Sequence, residues 1–259
     1  MPVHFVKVKG NEPDNTYNER TFHEFDKGKI IDFFNKTSLN QALINVELDG
    51  ISDLVLDIED LIDKGVIKRP FGKIPQFYEG NSKYVNTLET IFKKKHPNFK
   101  GVIFFLSAIP QDGTQGGHSA VYPRESNSII IVPDQVSINE KKTFVHELGH
   151  VLGLLHSFKD GFKEDLNRLV EDKKASIKKY SLKSEEKIRY RGEIMTIGEY
   201  IKELENSIIQ LKSLIDSNPF VFKQSGTDNY MDYYISEPLS FNKWQWDLIR
   251  NETKQYHGK

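Results

Sequence analysis

Apolar and polar residues alternate from Val3 to Val8, the period of a half-buried strand, and Leu43 to Leu48 reads as a second strand. Lys29 to Asn35 is a short helical run. Ser52 to Lys64, with Leu54, Ile58, Leu61 and Ile62 at helical spacing, predicts an amphipathic helix, and Lys83 to Lys95 repeats that pattern. Gly101 to Ile109 is an apolar run of the length of a central strand. Gln111 to Gly117 reads as a loop. Ser119 to Tyr122 and Ser128 to Val132 form a predicted strand pair turned at Pro123 to Asn127, and this alternating half ends at Pro133.

The period then changes. Ser137-Ile-Asn-Glu140 has capping-box spacing and predicts a helix running to about Leu152, where Gly153 stops it. From Gly161 to Asn218 the composition shifts to Lys, Glu, Ile and Leu. Ile194, Ile197, Ile201, Leu204, Ile208, Leu211 and Ile215 step by three and four as a heptad seam, with a looser stripe upstream at Leu166, Leu169, Ile177, Tyr180 and Ile188. A helix, a break near Gly192 and a second helix packing back are expected. A last helix, capped by Ser240, carries Trp244, Trp246, Leu248 and Ile249. The expected fold class is α/β (α+β), with an N-terminal lobe over 1–156 holding the sheet and a mostly helical C-terminal lobe over 157–259 holding an inserted hairpin at about 161–218.

Composition narrows the function. Lys plus Arg (36) nearly balance Asp plus Glu (37) in 259 residues, so no global field favours nucleic acid or an anionic membrane. No run approaches the roughly 20 apolar residues of a membrane span, and the N-terminus lacks an apolar leader core. The expectation is a protein that is cytoplasmic, exported by a signal-less route, or secreted with its leader already removed. The absence of cysteine excludes disulfides, thiolate zinc ligands, a cysteine nucleophile and a thiol latency device.

One segment carries chemistry. Residues 146 to 156 read His-Glu-Leu-Gly-His-Val-Leu-Gly-Leu-Leu-His. Helical residues four apart differ by about 40° in heading, so His146 and His150 can share one ion at about 2.0–2.1 Å. Glu147, on the edge of that face, can take the proton of a water attacking a carbonyl. Gly153 can adopt positive φ, end the helix and swing His156 back as third ligand, leaving one position open as catalytic zinc sites do. The full pattern arises by chance only about once in 10⁴ to 10⁵ sequences of this composition.

These residues resemble the metzincin clan of zinc peptidases, whose motif HExxHxxGxxH is followed by a methionine turn. Asn229-Tyr-Met-Asp-Tyr-Tyr234 is similar to that turn, and with His-Ser-Phe after the third histidine it looks most like the pappalysin-type families. The motifs cover about 17 residues. The resemblance implies a metzincin-like twisted mixed sheet, one catalytic zinc, Glu147 as general base, Met231 as a cushion beneath the imidazoles, and Tyr233 steadying the tetrahedral intermediate. For Met231 the alternative is plain core, and for Tyr233 a buried aromatic. The resemblance further implies a protein or peptide substrate lying along an edge strand, for which Ser119 to Tyr122 is the candidate; an ordinary hairpin strand is the alternative. No run marks a calcium site, since Asp112-Gly113 is first a turn signal. His118 reads as a loop histidine, and His4, His23, His96 and His257 as surface residues. The helices over 163–216 read as a packed hairpin with Lys173, Lys174, Lys178 and Lys179 on its solvated face, as an arm for a protein partner, or as a gate. Three functions therefore stand: a zinc endopeptidase, a zinc-containing binding or scaffold protein, or the same peptidase delivered as a toxin or effector.

Overall fold

A computed structural model describes residues 1–12, 22, 24–70, 74–78, 82–112, 117–119, 127–132, 140–154, 156, 162–190, 193–217, 227–232 and 240–257. The N-terminal region is mixed α/β. In chain order it contains β1 (Pro2–Gly10), α1 (Lys27–Phe33), a π turn (Phe34–Ser38), a 3-10 turn (Leu39–Ala42), β2 (Glu47–Leu56), α2 (Ile58–Asp63), β3 (Ile67–Lys68), β4 (Gln76–Tyr78), α3 (Ser82–Lys95), β5 (Val102–Ser107), β6 (Gln111–Asp112), β7 (Gly117–Ser119), β8 (Ser128–Ile131) and α4 (Lys141–Val151). The C-terminal region is more helical, with α5 (Phe162–Tyr180), β9 (Lys187–Tyr190), β10 (Glu193–Thr196), α6 (Ile197–Ser217) and α7 (Lys243–Tyr256). This is a two-lobed α+β architecture.

The main sheet has the order β2-β1-β5-β8-β7, parallel except where β7 runs against β8. Alternation sends its side chains to two cores. Val3, Phe5, Val102, Phe104, Leu106, Ile129 and Ile131 face α1, α4 and α7; Val6, Val8, Ile103, Phe105 and Ile130 face α2 and α3. Residues 102–107 are all buried, which is why this central strand reads as one unbroken apolar run.

Several expectations shift. Ser52 to Leu56 belongs to β2 rather than to a helix: Leu54 and Leu56 are buried with Val55 exposed between them, a period of two that the apolar Val55 conceals in the sequence. Only Ile58–Asp63 is helical, capped by Asp57, whose side chain accepts from the Asp60 N–H. Leu43 is no strand residue; it closes the 3-10 turn in the left-handed region at φ 56°. Ile188 and Ile194 lie in the β9/β10 hairpin that joins the two long helices, so the seam begins at Ile197. Val170 packs with Leu211, while Ile177 and Tyr180 pack with Tyr200 and Leu204, which makes α5 and α6 antiparallel. Lys173 is buried in that hairpin rather than solvated. The last helix is capped by Asn242 in a capping box with Gln245, freeing Ser240 to bridge to Asn229.

His4 and His257 are buried, not superficial. His4 accounts for this with two partners, Nδ1 lying 2.8 Å from Asp49 Oδ2 and Nε2 3.0 Å from Ser52 Oγ, beneath a lid of Phe92, His96 and Phe99. Asp112 sits in β6 and pairs with Lys68, so its carboxylate serves an ion pair. Ser137, His23, Ala120 to Tyr122 and Tyr233 lie outside the described residues.

Candidate metal centre

α4 starts at Glu140, whose side chain accepts from the Lys142 N–H. Phe144, Val145, Leu148 and Val151 bury one face of the helix in the core beneath the sheet. At its end the Gly153 N–H donates to the His150 carbonyl and the Leu154 N–H to the Gly149 carbonyl, both at 2.9 Å, with Gly153 at φ 90°. That bond pair is the Schellman stop, and it depends on glycine because a side chain at this φ meets the backbone. The reversal returns His156 to the face that carries His146 and His150.

The three Nε2 atoms form a triangle with every side 3.2 Å. Donors this far apart could all reach one ion at the roughly 2.0–2.1 Å of zinc–imidazole bonds. The donor set therefore fits a divalent ion such as zinc. His146 Nδ1 donates to the Tyr230 carbonyl and His150 Nδ1 to the Leu154 carbonyl, both at 2.8 Å. With the ring protons spent on those carbonyls, the Nε2 lone pairs of both rings point inward. Lone pairs converging at 3.2 Å repel one another unless a cation lies between them. His146, His150 and His156 are the one such group of metal-ligating side chains among the described residues.

Met231 is fully buried below the helix, and a Cβ placed on Gly149 would lie 2.5 Å from its Sδ. The turn carrying it is closed by the Asp232 N–H donating to the Asn229 carbonyl at 2.9 Å and the Met231 N–H to Asn229 Oδ1 at 2.8 Å. Asp232 Oδ2 accepts from the Thr227 hydroxyl at 2.9 Å and its N–H at 3.1 Å. Tyr230 packs on Phe241 and Phe33, and burial, followed by the Asp228 charge, pushes its phenol above the ordinary value and keeps it neutral. Glu147 is buried one position after His146. His118 lies on β7 opposite Ile130.

The sequence placed Asn229 and Tyr230 in the turn but assigned no site role to them, nor to Leu154 or Gln245. Two of them act through backbone carbonyls, which no side-chain pattern advertises. Asn229 and Asp232 are residue types that favour turns, which is the signal that made the 229–234 turn legible. A cleft lined by Pro2, Asp49, His96, Pro97, Asn98, Phe99 and Lys100 contains none of the three histidines. It lacks their convergent donors.

No protein-family model matches the chain, and no curated protein does. Among solved structures, one described as "Structure of a chaperone-substrate complex" superposes with a TM-score of 0.39 at 14% identity, over 61% of this chain and 25% of that one. The chain thus spans about a quarter of that structure's length. No helix among the described residues is long and apolar enough to cross a membrane.

Proposed function

We propose that this chain is a zinc-dependent endopeptidase of the metzincin type, with His146, His150 and His156 holding the metal. The observation that carries the reading is the 3.2 Å triangle of inward-facing Nε2 atoms, two of them set by carbonyl partners. A divalent ion there supplies Lewis acidity to a scissile carbonyl and to a water. Glu147 takes the proton of that water and passes it to the leaving amine. Tyr233, next after Asp232, donates to the developing oxyanion, and Met231 supports the imidazoles from below. β7 is the last strand of the sheet and packs on α4, which suits it to receive an extended peptide by strand addition. In this reading 1–156 is the lobe that carries the metal helix, and 157–259 is the lobe that carries the Met231 turn, the hairpin and α7.

The test combines metal analysis with a peptide library read by mass spectrometry. One zinc per chain is expected, with cleavage stopped by chelator and slowed about 10²–10⁴-fold in Glu147→Gln while zinc is retained. Parent-like cleavage by Glu147→Gln would remove the mechanism.

A second reading is a metal-containing binding protein that uses the helical hairpin for a partner. Its support is apolar exposure at that end of the molecule, where Leu182 is 95% and Ile194 65% accessible. A fourth protein ligand closing the metal site, together with no cleavage of any peptide, would make this the better account.

A further inference from the structure

The turn that orients His146 is itself held from near the far end of the chain. Gln245 on α7 is fully buried, and its Oε1 accepts from Asn229 Nδ2 and from the Asn242 backbone N–H, both at 2.7 Å. Asn229, also fully buried, accepts the Met231 N–H on Oδ1 and the Asp232 N–H on its carbonyl. Those bonds fix the peptide units of 229–232, and with them the Tyr230 carbonyl that receives the His146 Nδ1 proton. Among the described residues, Gln245 Nε2 meets no hydrogen-bond partner. Both bonds that tie the carboxamide to its surroundings here are made by its oxygen. A capping box asks only for the Asn242 contact, whereas the bond to Asn229 leaves the helix and reaches the turn.

We propose that Gln245 is a positioning residue for the metal centre, acting through Asn229 and the Tyr230 carbonyl on the His146 ring. The inference rests on the three-histidine reading above. Partners outside the ligand shell change metal affinity about 10–100-fold, and Gln245 stands one step beyond the carbonyl, so an effect of about tenfold is expected.

Two variants of the full chain separate position from stability. Gln245→Met keeps the length and loses the acceptor, while Gln245→Glu keeps the oxygen that Asn229 and Asn242 use. Zinc affinity is measured by chelator competition at a temperature where the metal-free protein is folded. Gln245→Met should weaken zinc about tenfold and Gln245→Glu less than about threefold. A lower melting temperature with parent-like zinc affinity in Gln245→Met overturns the proposal, because that is what a purely structural residue would give. Gln245→Ser, which admits water in place of the carboxamide, replaces Gln245→Met if the latter does not fold.

A metal-independent readout separates the two claims. In the metal-free protein the His146 Nδ1 proton, followed by NMR, should exchange with water faster in Gln245→Met than in the parent. If the parent binds no zinc but this proton responds, the metal reading fails and the positioning stands. If the parent binds zinc and neither affinity nor exchange moves, the positioning fails and the metal reading stands.

Discussion

Gly149 tests whether the Met231 turn and α4 are one packed unit. Adding a Cβ there would bring it 2.5 Å from Met231 Sδ and 3.5 Å from both Met231 Cε and Leu154 Cδ1. Overpacking of this kind costs about 1–3 kcal/mol, although methionine is adaptable and yields more readily than a branched side chain. Replacing glycine inside a helix returns about 0.8–1 kcal/mol. Gly149→Ala should therefore destabilise the metal-free protein by about 0–2 kcal/mol, and Met231→Ala, which empties a fully buried site, by about 2–5 kcal/mol. In the double variant the new methyl group enters the vacated space. The combined loss should fall short of the sum by about 1–2 kcal/mol. Denaturant melts of the four proteins supply the cycle, with a melting shift of about 2–4 °C per kcal/mol as the thermal counterpart. Additivity within about 0.5 kcal/mol would refute the reasoning, because it would mean that helix and turn do not press on each other.

Two further outcomes follow from named residues. Gly153→Ala should cost about 1–2 kcal/mol, since φ of 90° places its Cβ against the backbone, and should also weaken metal binding by misplacing His156 and the Leu154 carbonyl. Gly153→Asn should recover part of both losses in the same melts and zinc titrations. Desolvation lowers the His96 pKa from its ordinary 6.5, and the neighbouring His4 acts in the same direction while Asp49 opposes it. The unfolded chain then binds the proton more readily than the folded one, so His96 leaves stability unchanged above about pH 6.5 and subtracts from it as pH falls below. His96→Asn should lose less melting temperature than the parent between about pH 7.5 and 5.5, and equal losses would show that burial at this ring has no such consequence.

The sequence made legible the features that rest on short-range pattern. The all-buried β5, the long helices and the Gly153 stop are fixed within a few residues of themselves, and the return of His156 follows from that stop. Where two periods fit the same residue, tertiary pairing decided: Leu54 fits a helical stripe with Ile58, Leu61 and Ile62 or a strand face with Leu56, and the neighbouring β1 captures it into β2. The β9/β10 hairpin was hidden for a related reason, because Ile194 happens to continue the helical spacing of the seam. Fully buried polar residues were the least visible. Gln245 resembles any surface glutamine until Asn229, 16 positions earlier, is brought against it.

The Tyr230 carbonyl lies 84 positions beyond the histidine it orients. During synthesis the helix bearing His146 and His150 leaves the ribosome long before that turn, and α7, which braces the turn, comes later still. The nascent chain therefore carries the histidines before their cradle exists, and His146 gains its carbonyl partner only when residues 229–245 dock. A chain interrupted before residue 229 would keep its three imidazoles yet lack the carbonyl that orients the first of them.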